Sequence, residues 1–481
     1  MIFSKSTLIA AATALLVSFG AAGPSRATPS IVIDVASGAV LSHEQATASW
    51  YPASVTKLMT VYVALDAVRQ GRISLDTPVM MSPRACRMAP SKMGFRAGSE
   101  VTLHNALVML MVKSANDIAV AIAEGVSGSV EAFADEMNRA SASLGMTQSV
   151  WYNPNGLPDE RQVTSARDLA ILGRALYLQF PEHANLFNVG AMQLGKQIIP
   201  THNHLLGRYP GADGMKTGFT CSAGFNLVAS ATRGGRRLIA VVLGAPNPIL
   251  RTAKTAALLD RGFQSGAAVA SLASLPSSGP TAAPDLRESV CHHRGSGAAE
   301  FMAEIEDASV PMGSGVPLLD TLNGAQQQRS NAKEIAHLPR PRFEPVPVYV
   351  GRTPGYVGPV ARTRAPGAPV GEQTDLAAYA AQSEPVGADA SPISKPAPDA
   401  VSLRRAKHAK AVKAARAAAM AAKAEAAKLD GASPEASESA PAPKPKAAPK
   451  TAKPKTAAPA GETQKRAVAP KVRSPAEPGK S

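Results

Sequence analysis

Ser54 and Lys57 stand three residues apart in Trp50-Tyr51-Pro52-Ala53-Ser54-Val55-Thr56-Lys57-Leu58-Met59. At that spacing two residues share one face of a helix, with their side chains within reach of each other. A hydroxyl beside an amine is the minimum equipment of a serine nucleophile. The amine takes the proton, and the N–H groups at the helix start hold the oxyanion that forms. The amine must be uncharged to do this, and an apolar setting favours that state because desolvation penalises the ammonium. Two further short elements follow in order. Ser114-x-Asn116 interrupts two apolar runs, and Lys216-Thr217-Gly218 lies in a segment of strand length, where glycine lets another backbone come close. Each of the three alone is commonly a helix cap, a solvated lysine or a turn. All three, in this order and setting, are specific.

The elements that must carry these residues are legible in outline. Apolar residues at 58, 61, 62, 65 and 68 mark one face of a helix that Pro52 introduces and Gly71 ends, so Ser54 falls in its first turn. Ile31 to Val35 and Ala39 to Leu41 flank Ser37-Gly38 as strand, turn and strand. Leu103 to Val112 and Ile118 to Ala123 read as helices on either side of Ser114-Ala115-Asn116, with Asp117 capping the second. Ser129 opens a helix that Gly145 closes, and Thr164 or Ser165 caps another through Leu176. From Asp213 the period changes to that of strands, with Gly234-Gly235 as a hairpin turn, and Arg251 to Phe263 is a closing helix. Strands at both ends with helices between them predict one α/β domain over residues 28–265.

Around the three elements the text is distinctive. Tyr51-Pro52-Ala53-Ser54-Val55-Thr56-Lys57-Leu58-Met59-Thr60, Lys113-Ser114-Ala115-Asn116-Asp117, Met137-Asn138, Asn153-Pro154-Asn155-Gly156-Leu157 and Gly211-Ala212-Asp213-Gly214-Met215-Lys216-Thr217-Gly218-Phe219-Thr220 resemble the serine D-alanyl-D-alanine carboxypeptidases, the low-molecular-weight penicillin-binding proteins. The resemblance covers residues 30–265. It implies a β-lactamase/transpeptidase-like fold, an antiparallel sheet flanked by helices with a helical subdomain, and a substrate that is a peptidoglycan stem peptide ending in D-Ala-D-Ala. It implies Ser54 as nucleophile, Lys57 as its base and Ser114 as proton donor to the leaving amine. Asn116 then holds the substrate amide or orients Lys57. Lys216 and Thr217 take the terminal carboxylate, Gly218 admits the substrate, and the N–H groups of Ser54 and Phe219 form the oxyanion hole. β-Lactams acylate Ser54 in place of substrate, and no metal or cofactor is needed. The family's small β-rich second domain and amphipathic C-terminal anchor are not evident after residue 265.

Composition sets the rest. The chain has 481 residues, a net charge of +15, 40 Pro and 38 Gly. Residues 1–27 have the pattern of a secretory signal: Lys5, an apolar run from Leu8 to Phe19, and a small-x-small site at Ser25-Arg26-Ala27. Export to the periplasm or cell envelope is therefore expected. Residues 266–400 are rich in Pro, Gly, Ser and Ala and read as low-complexity linker, within which Phe343 to Val350 is a docking strand or a polyproline-like piece. Residues 401–481 hold 18 Lys and Arg against 6 Asp and Glu, +12 of the total charge. They read as a high-propensity Ala/Lys helix followed by disorder. Export argues against nucleic acid as the partner of this tail. An anionic envelope surface, or plain solvated chain, are the two readings that stay open. Of three cysteines, Cys86 and Cys221 lie in the predicted domain and Cys291 beyond it, and spacing decides no pairing. Cys291-His292-His293 and His202-Asn203-His204 have too few ligands for a metal.

Three other functions compete with this one. A D,D-endopeptidase uses the same residues on cross-links. A class A β-lactamase carries glutamate in an E-x-x-L-N context, and Gly156 to Ala170 holds Glu160 without it. A peptidoglycan- or envelope-binding protein does not require the complete trio.

Overall fold

The structure is a computed structural model of the chain, and it describes residues 28–265, 267–276, 279–293, 297–309, 332–335 and 337–364. The expected signal at 1–27 and basic tail at 401–481 lie outside the described residues.

The centre is a six-stranded antiparallel sheet. In chain order its strands are β1 (Ser30–Asp34), β2 (Ala39–Glu44), β7 (Ala212–Thr220), β8 (Gly224–Arg233), β9 (Arg236–Ala245) and β10 (Ala270–Ser271). Across the sheet they run β10-β2-β1-β9-β8-β7. Both faces are covered, and the period-2 alternation of strands sorts their residues between two cores. Ile31, Ile33, Val228, Ile239 and Val241 point to one side. Val32, Leu227, Ala229, Leu238, Ala240 and Val242 point to the other. The first side is packed by α1 (Lys57–Arg69), α3 (Leu103–Val112), α4 (Asn116–Ser127), α5 (Val130–Leu144) and α6 (Ala166–Gln179). The second is packed by α7 (Pro248–Gln264) and α8 (Ala298–Ser309).

The local signals explain the helix ends. Ser129 and Ser165 accept hydrogen bonds from Ala132 N and Asp168 N, and Gly128 and Gly145 close the preceding helices in the left-handed conformation. One difference concerns the first of the candidate site residues. Ser54 does not lie in α1 itself but in a 3₁₀ turn, Ala53–Thr56, that runs directly into it.

The linker reading of 266–400 needs correction for its described part. Residues 270–271 extend the sheet beside β2. Phe301 and Ile305 of α8 are buried in the second core. Cys291 is joined to Cys221, and Cys86 is free. Further on, β11 (Val346–Val348) pairs in parallel with β5 (Ala191–Leu194), itself hairpinned to β6 (Gln197–Pro200). The chain then runs on as a strap. Gly351 N donates to Glu100 O, Met80 N to Ala361 O, and Arg364 N to Gly128 O. Within Phe343 to Val350 it is Val346–Val348 that docks as a strand. Patterning missed this because the strap is held by backbone bonds and single side chains and has no periodic apolar face. Among the described residues no helix is long and apolar enough to cross a membrane.

Candidate active site

β7 is the outermost strand of the sheet, and the 3₁₀ turn carrying Ser54 lies against it. Two glycines make that approach possible. A Cβ on Gly218 would stand 2.9 Å from Pro52 O and 3.1 Å from Ser54 N. A Cβ on Gly156 would stand 1.8 Å from Ala53 O, and its φ of +78° is one that other residues seldom adopt. Asn226 of β8 clamps the turn from below. Its Nδ2 donates to Tyr51 O (2.9 Å) and Pro52 O (3.0 Å), and its Oδ1 accepts from Gly244 N (2.9 Å). Gln162 Nε2 donates to Thr56 Oγ1 at 3.1 Å.

Lys57 is completely buried. Its Nζ donates to Asn116 Oδ1 at 2.7 Å and to the carbonyl of Asn155, and lies 3.1 Å from Ser54 Oγ. Burial pushes its pKa well below that of a free lysine. The charge of Lys216 adds to this, against a smaller opposing effect of Asp117. A neutral amine has two N–H donors and one lone pair. Two acceptors take the donors, which leaves the lone pair for the Ser54 hydroxyl.

Ser114, in the break between α3 and α4, holds a φ of +60°, a strained left-handed conformation for a residue with a side chain. Lys216 Nζ donates to Ser114 Oγ at 2.9 Å and to Thr217 O at 3.0 Å. Asn116 is fixed by donating to Ala89 O (2.9 Å), and Asp117 accepts from Met93 N and Gly94 N, so the 86–94 loop and the α3–α4 break are one unit. Lys216 is also buried, and desolvation, then Arg251, lowers its pKa to about 7. Thr217 is buried beside it. Phe219 is 44% exposed and stacks on Phe225. Ser54, Lys57 and Asn116 therefore form one hydrogen-bonded group, and Ser114, Lys216 and Thr217 a second beside it. Among the described residues no group of three or more His, Cys, Asp or Glu is placed to hold a metal.

The D-alanyl-D-alanine carboxypeptidase family model matches residues 20–247, a span that contains Ser54, Lys57, Ser114, Asn116, Lys216 and Thr217. D-alanyl-D-alanine carboxypeptidase DacB2 of Mycobacterium tuberculosis is 32% identical over 219 residues, 44% of this chain and 73% of its own length. The chain belongs to the D-alanyl-D-alanine carboxypeptidase family. Two more carboxypeptidases of this family are similar. DacC of Escherichia coli is 37% identical over 241 residues, 49% of this chain and 60% of its own. DacF of Bacillus subtilis is 34% identical over 242 residues, 49% of this chain and 62% of its own. The chain thus spans about three fifths of the length of these two carboxypeptidases.

Sequence reasoning missed three contributors to this carboxypeptidase-family site. Asn155 stood within the Asn153 to Leu157 stretch of the resemblance with no role given to its carbonyl. Asn226 gave no signal beyond its place in a strand. Arg251, on the first turn of α7, was read as the start of a closing helix. It is buried, its Nη1 reaches Asn226 O at 3.5 Å, and its Nε has no hydrogen-bond partner among the described residues. Burial lowers its pKa only to about 10, so it stays charged at neutral pH.

Proposed function

We propose that this chain is an exported serine carboxypeptidase that removes the terminal D-alanine from peptidoglycan stem peptides through an acyl-enzyme on Ser54. The observation that carries the reading is the buried amine of Lys57, 3.1 Å from the Ser54 hydroxyl with its other valences occupied. Substrate lies along the open edge of β7 as an added strand. Its carboxylate meets Lys216, Thr217 and the charge of Arg251, which suits a small anion because no carboxylate of the chain neutralises that corner in the hydrogen bonds described. Ser54 attacks the penultimate carbonyl while its proton passes to Lys57. The N–H groups of Ser54 and Phe219 face the oxyanion. The proton that Lys57 took passes by way of Ser114 to the departing D-alanine amine, which leaves Lys57 neutral again to activate the water that hydrolyses the ester. A β-lactam follows the first half of this route and stays on Ser54. The Cys221–Cys291 disulfide supports export, since such bonds persist in oxidising compartments.

The test is mass spectrometry of the protein mixed with penicillin. A stable adduct mapping to Ser54 is expected, and Ser54→Ala should carry none. An adduct elsewhere, or none on the native protein, overturns the reading. Digestion of muropeptides ending in D-Ala-D-Ala should release D-alanine and leave cross-links uncut.

The pH profile carries a second expectation. Lys57 must be neutral, so activity falls as pH drops through its lowered pKa. Lys216 must be charged to help hold the carboxylate, so kcat/KM falls as pH rises through about 7. Lys216→Arg should move this alkaline limb up by about two units or more, because a guanidinium stays charged. An unmoved limb assigns it to another group.

A further inference from the structure

Ser114 and Asn116 stand at the tip of a pair of helices, with α3 leading into the break and α4 leading out of it. The loop between β3 (Pro78–Met80) and β4 (Glu100–Thr102) reaches the same tip. There Ser91 Oγ donates to Lys113 O at 2.9 Å, and Ser91 O accepts from Asn116 N at 2.7 Å. All these parts rest on the short β3–β4 ladder. The loop leaves β3 and returns to β4, α3 follows β4 directly, and α4 lies against β3 at Gly125. The ladder is thus the base of this half of the site. It lies at the far end of helices of 10 and 12 residues, about 15–18 Å from the tip. Its three residue pairs are too few to hold together in water without further support.

The strap supplies that support. Gly351 bridges to Val101 of β4 and Ala361 to Val79 of β3, so the ladder gains a neighbour on each edge. At the start of α3, Arg352 forks onto Glu100 at 2.6 and 3.0 Å, Thr353 Oγ1 donates to Asp76 Oδ1 at 3.0 Å, and Asn105 Nδ2 donates to Tyr349 O at 3.3 Å. At the end of α4, Arg364 Nη2 donates to Val126 O at 3.2 Å and Arg364 N to Gly128 O at 2.9 Å. The strap therefore ties together the two helix ends that lie away from the break. Gly125 makes room for it. Glycine inside a helix costs about 1 kcal/mol relative to alanine. A Cβ here would stand 3.0 Å from Val79 Cγ1 and 3.2 Å from the Ala361 methyl, so the bare position is what lets ladder and strap come up to α4. Residues 349–364 lie outside the family match at 20–247.

We propose that residues 349–364 are a positioning element for catalysis. By fixing the base of α3, α4 and the 81–99 loop, they hold Ser114 in its strained conformation beside Lys216, and Asn116 on Lys57. Such strain persists only where the surroundings over-determine it, and the strap is part of those surroundings. This role rests on the peptidase reading above, and it is exerted through Ser114 and Asn116.

The experiment uses two substrates that give the same acyl-enzyme. One is a peptide ending in D-Ala-D-Ala, whose leaving group is an amine. The other is its thiolester analogue, whose leaving group is a thiolate. The amine must receive the proton that comes by way of Ser114, whereas a thiolate departs without one. kcat/KM is measured for both, per active site titrated with fluorescent penicillin. Two full-length variants loosen the strap. Arg352→Ala/Arg364→Ala removes side-chain ties and adds no bulk, and Gly125→Leu puts a side chain in the strap's path. Each should lower the ratio of amide to thiolester turnover by about tenfold, the scale of a modest displacement of a proton-transfer group. Ser114→Ala should lower the same ratio further. Loss of folded enzyme lowers both substrates alike and does not mimic this. Where the leucine prevents folding, the double arginine variant decides. If that variant melts lower but keeps the native ratio, the strap only stabilises the fold and the positioning role is overturned, while turnover of both substrates by native protein leaves the peptidase reading standing. If native protein turns over neither substrate and penicillin does not label Ser54, both fall.

Discussion

Lys57→Met is expected to slow acylation of Ser54 by about 10⁴-fold or more, the scale on which loss of a base acting directly on a nucleophile is felt. Methionine matches the length and apolar stem of lysine, so the packing around a completely buried side chain changes little. What it lacks is the lone pair 3.1 Å from Ser54 Oγ and the donors to Asn116 Oδ1 and the Asn155 carbonyl. Two buried acceptors are left unpaired, at about 1–3 kcal/mol each, while the desolvated amine disappears. Stability should therefore move far less than activity. Lys57→Arg should fail equally, because a guanidinium keeps its proton and has nothing with which to take one from serine. Stopped-flow labelling with a fluorescent penicillin, beside thermal melting of each variant, checks this. Acylation within about tenfold of native in Lys57→Met would assign the base to another group.

Gly156→Ala should damage the enzyme without touching a catalytic side chain. The new methyl would fall 1.8 Å from Ala53 O and 2.9 Å from Thr56 Oγ1, on a residue whose φ is +78°. Ala53 itself holds a φ of +49°, so the turn that presents Ser54 is already strained. It has no relaxed position to retreat to. The expected cost is about 3 kcal/mol of stability or more, together with about a hundredfold slower acylation from displacement of the serine. Gly71→Ala is the matching control. Its φ is +70°, but nothing lies within 4 Å of the added carbon, so it should cost only about 1–2 kcal/mol of backbone strain and leave acylation alone. Should Gly156→Ala melt and label like Gly71→Ala, the turn is not braced from this side.

How much of this was legible depends on the kind of interaction. Ser54 and Lys57 are three residues apart, and the serine caps and glycine stops are local rules, so the chain states them directly. Asn116 and Ser114 reach their lysine partners across 59 and 102 residues. No periodicity encodes that, and only the resemblance brought these elements together in advance. Arg251 was invisible because an arginine near a helix start normally points to water, and only the packing of α7 against β8 encloses it. The 281–293 segment was invisible because a disulfide, the Leu286 N to Ser222 O bond and the bonds of Thr281 to Ser49 hold it, and none of these leaves a pattern in composition. The strap has Pro347 in the middle of β11, a residue that strands tolerate only at an edge. β11 is such an edge strand.

The exposed margin of β7 has another side. A strand with one row of unmatched amides and carbonyls is adhesive to any extended chain, its own copies included. Most proteins blunt such a border with charge or cover it outright. In the peptidase reading the border stays bare so that a peptide can dock, and protection comes from its surroundings, the tight turn pressed against it at Gly218 and the crosslinked loop beyond Thr220.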